Sequence, residues 1–209
     1  MQIPKALSSG IVIDVLAPDL SRIDIYEDIA MPLAKLARFD GQTPGRKYCV
    51  AQHCVIGADT LLRETRDHEL ALAFLLHDAH EAFIGDITTP TALALAAFAG
   101  NEVTRSLRAL KSMLDVQIFK RADLPFAFSH KEAVRDMDAR MLNAERKCFL
   151  RSSIPDDHWP EEVRNAKPVS SRFIKWGTVK AADEWFARYM SFGAIIDGMR
   201  EAAAIEAAA

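Results

Sequence analysis

Apolar residues recur at three- and four-residue steps along most of the chain, which is typical of helices that bury one face. This spacing predicts helices over 25–39, 48–66, 68–83, 102–120, 129–151 and 181–208. We expect Pro32 to kink or split the first of them, because proline removes a helical hydrogen bond. Thr89 followed by Pro90 predicts the start of a further, alanine-rich helix. The β-branched segment 10–17, which glycine and proline bound, instead predicts a short strand or extended arm.

Two segments interrupt the helical pattern. Residues 40–47 read Asp-Gly-Gln-Thr-Pro-Gly-Arg-Lys, and residues 154–160 contain two prolines and two aspartates. Both compositions are typical of loops. The 209 residues contain no internal repeat and no low-complexity linker, so the pattern predicts one all-α domain over 1–209.

Composition narrows the possible partners. The chain has 26 basic and 29 acidic residues, a formal charge of −3, so a protein that binds along nucleic-acid phosphates is disfavoured. A small anionic ligand held by one or two cations remains compatible. Three cysteines and no cleavable leader pattern favour a reducing compartment. The apolar stretch 10–18 is too short to cross a membrane, and Asp14 interrupts it. We therefore expect a cytoplasmic protein with no membrane contact.

The segment 72–90 is the most informative for chemistry. An apolar run over 71–76 leads directly into His77, Asp78, His80 and Glu81. Charged groups beside a buried run are costly unless they are paired or bound to a metal. On a continuous helix His77 and Glu81 would share one face, with Asp78 beside them. An imidazole and a carboxylate could then reach one cation, with Glu81 near a metal-bound water.

Two other segments supply matching ligand types. His53 lies within the predicted helix before this segment. Asp138 borders an apolar helical stripe, although Asp136 is a rival for the same role. Four further histidines are interpreted as ordinary core or surface residues: His68, His80, His130 and His158.

His53, the pair at 77–78 and a distant Asp138 together resemble the signature of the HD-domain superfamily of metal-dependent phosphohydrolases. The similarity is closest to the HD 5′-deoxynucleotidases and to phage HD deoxynucleoside triphosphate hydrolases. The matching motifs are Arg-Phe at 38–39, Val-Ala-Gln-His at 50–53, His-Asp-Ala-His-Glu at 77–81, Gly-Asp-Ile-Thr-Thr-Pro at 85–90, and Met-Asp at 137–138 with Glu145 seven residues later. The resemblance implies an HD-domain helical bundle with a core at about 25–150 and a C-terminal helical extension at about 151–209.

The resemblance also implies roles for single residues. His53, His77, Asp78 and Asp138 would be metal ligands. Asp78 and Glu81 would be the catalytic acids, Glu81 by positioning or deprotonating the attacking water. The substrate would be bound by Arg38 at its phosphate, by Asp86 at the 3′-hydroxyl of its sugar, and by Thr88. One departure is Ala92, because relatives often have a lysine at this position; Arg46, Lys47 or Lys131 would have to replace it, or the substrate differs.

The expected function is hydrolysis of a nucleotide, first of all a 5′-deoxynucleoside monophosphate, by a metal-bound water. Two imidazoles and two carboxylates suit one transition ion per chain, Mn, Co, Ni, Fe or Zn, better than Mg. The alternatives are a dNTP triphosphohydrolase with the same site and a non-catalytic, metal-stabilised nucleotide-binding or regulatory module. By family resemblance we also expect a homo-oligomer, namely a dimer.

Overall fold

The computed structural model describes residues 1–124, 130–151 and 154–208. In these ranges the fold is all-α, as the sequence predicts, with one small antiparallel sheet in which β1 (Pro4–Ala6) pairs with β2 (Val12–Asp14). The α-helices are α1 (Met31–Lys35), α2 (Val50–Thr65), α3 (His68–Leu76), α4 (Glu81–Ile84), α5 (Thr89–Ala99), α6 (Glu102–Arg121), α7 (Lys131–Phe149), α8 (Glu161–Asn165) and α9 (Thr178–Ala208). The predicted start of the seventh helix at Ser129 lies outside the described residues.

Helices α2 and α3 form the centre of the core, and a glycine lets them approach closely. A Cβ atom added to Gly57 of α2 would lie 2.0 Å from Cε1 of Phe74 on α3. Nearly every residue of α2 from Val50 to Leu61 is buried, and so is every residue of α3 from Leu70 to Leu76. This close contact places His53, about one turn before Gly57, beside the end of α3.

The long helix α9 packs against α1, α2 and α3. Its buried face includes Ala181, Trp185, Phe192 and Ile196. The indole nitrogen of Trp185 donates a hydrogen bond to the backbone oxygen of Leu75 at 3.2 Å. The C-terminal segment therefore contributes to the same core as α2 and α3.

Helix α7 packs against α2 and α3, whereas α5 and α6 pack mainly against each other. None of the residues of α5 is buried, and Leu93 and Phe98 are among its exposed apolar side chains. In the described residues no single helix is long and apolar enough to cross a membrane, although the bent pair formed by 68–84 and 89–99 meets that test of length and composition jointly.

Two predicted helices are divided in the structure. The prediction of one helix over 68–83 is wrong, because residues 77–80 form turns between α3 and α4. The predicted helix over 25–39 consists of a π-helical turn at Tyr26–Ala30, the short α1, and a separate turn at Arg38–Gly41. Pro32 occupies the first turn of α1, which directly follows the π-helical turn, where the helix widens.

Candidate metal centre

The structure brings the four predicted metal ligands together from three separate segments. His53 comes from α2, His77 and Asp78 from the turns after α3, and Asp138 from α7. His53 Nε2 lies 3.3 Å from Asp138 Oδ1 and 3.9 Å from Asp78 Oδ2. His77 Nε2 lies 3.2 Å from Asp78 Oδ2 and 3.9 Å from Asp138 Oδ1. The four side chains thus surround one point, whereas the rival Asp136 is exposed.

Both imidazole rings are oriented so that Nε2 points into this group. His53 Nδ1 is 2.7 Å from Glu145 Oε1, and His77 Nδ1 is 2.6 Å from the backbone oxygen of Phe74. Each Nδ1 therefore carries the proton that it donates, and in the neutral ring each Nε2 is the atom with a lone pair for a metal. Both Nε2 atoms are buried and have no hydrogen-bond partner. Buried polar atoms are rarely left in this state, and a bound metal ion would satisfy them.

Glu145 forms hydrogen bonds with three side chains at the centre. Its buried carboxylate accepts hydrogen bonds from Tyr48 Oη at 2.8 Å, from His53 Nδ1, and from Arg38 Nε at 3.1 Å. Burial alone would raise the pKa of Glu145, but the charges of Arg38 and His53 hold it below its usual value. Glu145 is therefore an acceptor in all three contacts. The sequence pattern included Glu145 as a motif residue without giving it a role.

Charges within the centre shift the pKa values of the predicted ligands, those of the two acids downward and that of His77 upward. Burial opposes ionisation of Asp78, yet the His77 imidazole beside it holds the pKa of Asp78 well below its usual value. Burial likewise raises the pKa of Asp138, but its close contact with His53 and the charge of His77 lower it below the usual value. Burial lowers and Asp78 raises the pKa of His77, and the net result lies well above its usual value. Without an ion, the two acids are thus ionised and the imidazole retains a proton that a metal would displace.

Glu81 differs from the other acids of the centre. It is 5% exposed, and its Oε2 has no hydrogen-bond partner. Burial and the nearby charges of Asp78 and Asp86 raise the pKa of Glu81 to about 9. A carboxyl group that is desolvated beside other carboxylates is the environment in which proteins tune general acids and bases. The expected position of Glu81 next to Asp78 is therefore reached, although through a turn and not along a continuous helix.

Arg38 enters the centre from a strained turn. Backbone pairing of Ala37 with Cys49 closes the 40–47 loop and sets Arg38 beside the start of α2. The next two residues, Phe39 and Asp40, have positive φ angles of 57° and 50°, a conformation that favours glycine and often marks functional sites in other residues. Arg38 Nη1 lies 3.5 Å from Asp78 Oδ2 while its Nε is bonded to Glu145. No hydrogen bond is seen at its Nη2 in the described part of the chain.

The predicted sugar-side residues lie along one edge of the centre. Asp86 follows α4 after Gly85, whose φ of 83° turns the chain. Burial and the carboxylates of Asp78 and Asp40 raise the pKa of Asp86, although Arg38 opposes the shift. Thr88 precedes α5 and donates a hydrogen bond from Oγ1 to Asp40 Oδ2 at 3.1 Å. Asp86 therefore lies within electrostatic reach of the ligands, and Thr88 contacts the turn that carries Arg38.

Lys111 of α6 is a cation at the site that the sequence pattern did not indicate. Its charge acts on both Glu81 and Asp86, where it opposes the rise in their pKa values. Of the lysine replacements predicted from sequence, Lys47 donates its Nζ to the backbone oxygen of Lys35 at 2.9 Å. Arg46 lies beside Gly177. Lys111 was missed because it is far along the chain and belongs to no local motif.

Cys54 and His80 are further donors beside the four predicted ligands. Donor atoms of Cys54, His77 and Asp78 lie within 4.8 Å of one another, and so do those of Asp78, His80 and Glu81. Cys49 and Cys54 are buried, as the sequence predicts, and burial raises the pKa of the Cys54 thiol to about 11. A protonated thiol is a poor metal ligand, so the imidazoles and carboxylates are the better donors.

Comparison with known proteins adds relatives but no activity. No protein-family model matches the chain. It is similar to an uncharacterized protein of Rhodobacter capsulatus, with 41% identity over 94 residues that make up 44% of this chain and 47% of that protein. It is also similar to the uncharacterized protein YfdR of Escherichia coli, with 29% identity over 123 residues, 59% of this chain and 60% of YfdR. The matched region thus covers between about half and three fifths of these relatives.

Proposed function

We propose that the protein is a metal-dependent phosphohydrolase of the HD type that acts on a nucleotide, most directly on a 5′-deoxynucleoside monophosphate. The observation that carries the proposal is the convergence of two buried, unpartnered Nε2 atoms, of His53 and His77, with the carboxylates of Asp78 and Asp138. A second observation favours catalysis over a structural metal. Glu81 is buried beside this group with its pKa raised to about 9, and a purely structural site has no need of such an acid.

The donor set fits a divalent transition ion. Two imidazole nitrogens and two carboxylate oxygens suit Mn, Co, Ni, Fe or Zn, whereas Mg prefers oxygen ligands alone. Glu145 and the Phe74 carbonyl orient the two rings, as partners of metal-binding histidines commonly do. When bound, such an ion would polarise a water molecule and a phosphoryl oxygen.

The chain's own residues would supply the remaining steps. Glu81 would accept a proton from the attacking water once the charge of a bound ion has lowered its pKa, which is about 9 without an ion. Arg38 would hold a phosphate oxygen through Nη2, while Glu145 fixes the plane of its guanidinium. Lys111 would offset phosphate charge from the other side. These roles require a small anionic substrate, which the chain's formal charge of −3 leaves compatible although it disfavours an extended polyanion.

Asp86 and Thr88 support the choice of a nucleotide within this class. A carboxylate can accept a hydrogen bond from a sugar hydroxyl and offers no donor in return. Asp86 is half-buried near Arg38, so a sugar attached to a phosphate on Arg38 would lie in its reach. In this arrangement Thr88, bonded to Asp40, would line the substrate side of the Arg38 turn.

A substrate screen of the purified full chain tests the proposal. Ribo- and deoxyribonucleoside mono- and triphosphates would each be incubated with Mn²⁺, Co²⁺, Ni²⁺, Zn²⁺ or Mg²⁺, and released phosphate and triphosphate measured separately. We expect metal-dependent release of phosphate from a deoxynucleoside monophosphate. Asp78→Ala should abolish both metal binding and release, and His158→Ala, at an exposed histidine outside the donor groups of the centre, should not.

The products decide between the alternatives. Triphosphate release would assign the same site to a dNTP triphosphohydrolase. Metal-dependent nucleotide binding without any turnover would assign a binding or regulatory module and overturn the proposed activity. Turnover that persists in Asp78→Ala would overturn the proposed site.

A further inference from the structure

We propose that the centre holds a second divalent cation, bound by Asp78, His80 and Glu81, so that Asp78 bridges two ions. The inference shares Asp78 and Glu81 with the proposed phosphohydrolase site, Glu81 binding the second ion through one oxygen and acting on water through the other, and it does not depend on which phosphate compound is the substrate. His80 distinguishes the second site from the first. The motif that suggested the first site gives His80 no role, and its sequence context is that of an ordinary histidine.

The bend between α3 and α4 creates this group of donors. Side chains two positions apart on a continuous helix are separated by a rotation of about 200°, so Asp78 and His80 could not bind the same ion. In the structure residues 77–80 form turns, and one donor atom each of Asp78, His80 and Glu81 lies within 4.8 Å of the other two. The turns after α3 therefore bring the His80 side chain close to Asp78, which a continuous helix would not do.

The free atoms of His80 and Glu81 provide an independent observation. Both residues are 5% exposed, and both His80 Nε2 and Glu81 Oε2 are buried without a hydrogen-bond partner. Because His80 Nδ1 is 2.9 Å from Asp115 Oδ1, Nε2 is the nitrogen that remains for a ligand. The Asp115–His80 pair repeats the arrangement of Glu145 and His53, in which a carboxylate fixes the ring and leaves Nε2 free.

The donor set also fits a divalent cation, because it combines two carboxylates with one imidazole. Mixed nitrogen and oxygen donors suit Mn, Fe, Co or Zn.

Metal counting on the full chain tests the inference without any substrate. The metal-free protein would be titrated with Mn²⁺ alone in a calorimeter, and bound ions would be counted by mass spectrometry. We expect two ions per chain in the unmodified protein and one in His80→Ala. His158→Ala is the matched control and should keep two, since His158 is exposed and belongs to none of the donor groups of the centre. Electron paramagnetic resonance should show coupled Mn²⁺ ions only where two are bound, because paired ions lie about 3.5–4 Å apart.

A second variant separates loss of the site from loss of the fold. Asp115→Asn removes the charge that orients His80 and keeps the side-chain shape, so it should weaken the second binding step by about 10–100-fold and leave the first unchanged. Circular dichroism would check that every variant stays helical. A single ion per chain at saturation, or two ions in His80→Ala, would overturn the inference. A count of one leaves the proposed phosphohydrolase site intact, whereas a count of zero removes both.

Discussion

Glu145 accepts a hydrogen bond at 2.7 Å from His53, 92 positions earlier in the chain, and so decides which nitrogen of that imidazole is free. The same carboxylate holds Tyr48 and Arg38. The orientation of one proposed ligand and of the proposed phosphate-binding arginine therefore depends on one buried acid. Any change at Glu145 should act on the metal and on the substrate together.

Glu145→Gln should weaken metal binding without removing a ligand. A glutamine keeps the size of the side chain but loses the charge that favours the Nδ1–H form of His53. We expect the affinity for the first ion to fall by about 10–100-fold, as for other changes to the partners of metal-binding histidines. Calorimetric titration with Mn²⁺ would measure it. Glu64→Gln, on a surface acid paired with Arg140, is the control; equal affinities in the two variants would contradict the role of Glu145.

Glu81→Ala should separate catalysis from occupancy of the first site. The four ligands of that site remain, so the first ion should stay bound. Turnover of the best nucleotide should fall by about 10²–10⁴, the usual contribution of a positioned acid or base. Steady-state kinetics at saturating metal would show a loss in kcat. Full activity in this variant with every nucleotide that the unmodified protein hydrolyses would show that Glu81 is not the base.

The stability of the metal-free protein should fall as the pH rises. Burial and the neighbouring carboxylates raise the pKa of Glu81 from the usual 4.5 to about 9. The folded chain therefore binds this proton more tightly than the unfolded chain, and the benefit, complete below about pH 4.5, is lost as the pH approaches 9. His53 and His77, whose pKa values are also raised, act in the same direction as the pH rises.

Glu81→Gln shows how much of this pH dependence comes from the Glu81 carboxyl group, because an amide of similar size does not titrate in this range. The fall in the free energy of unfolding across this range should be smaller in the variant, by about 1.4 kcal/mol for every pH unit that separates the folded and unfolded pKa values of Glu81. Urea denaturation of both metal-free proteins at several pH values would measure it. Parallel curves for the two proteins would contradict a buried, protonated Glu81.

Asp86→Asn should weaken a preference for deoxyribose. An ionised Asp86 against the sugar would leave a 2′-hydroxyl buried with no partner or push it into a clash, at a cost of roughly 1–3 kcal/mol. We therefore expect about a ten- to hundredfold higher kcat/KM for deoxyribonucleotides in the unmodified protein and a smaller ratio in the variant. The bound metal should be unchanged. Equal kcat/KM for both sugars in the unmodified protein would show that Asp86 does not recognise the sugar and serves only in the Gly85 turn.

Gly57→Ala should destabilise the fold, although alanine is the better helix former. The new Cβ would lie 2.0 Å from the ring of Phe74, and overpacking of this kind costs about 1–3 kcal/mol. Gly193→Ala on α9 is the matched control, because its Cβ meets nothing within 4 Å and should stabilise by about 0.5–1 kcal/mol. Denaturation in urea would compare them. Equal stability of the two variants would show that α2 and α3 can separate without cost.

The structure brings the predicted ligands together but departs from the predicted path of the chain between them. His53, His77, Asp78 and Asp138 could be predicted as a set because they resemble the HD signature and stand beside apolar residues. The break after Leu76 could not, since the apolar run and the residues that follow have the composition of one helix. At the break the His77 backbone N–H and Nδ1 both bond to the Phe74 carbonyl three residues earlier, so the chain turns more tightly than in an α-helix.

Partners that act across long separations were the other residues missed. Asp115 and Lys111 lie on α6, more than thirty positions after His80, and nothing in their local sequence differs from an exposed helix face. Periodicity predicted the bounds of α6 within one residue, but it did not show which face of α6 packs against the bend between α3 and α4. Such contacts depend on how helices pack, which a single sequence does not specify.

The packing of α9 has a consequence for the synthesis of the protein. Helices α1, α2 and α3 bury apolar side chains against Ala181, Trp185 and neighbouring residues, which are translated more than a hundred residues after α3 ends. At about 5–20 residues per second, the nascent chain would leave the ribosome with this surface uncovered for about 5–20 s. Chaperones that hold apolar segments, and premature stops within this interval, should therefore affect the yield of this protein more than its finished fold suggests.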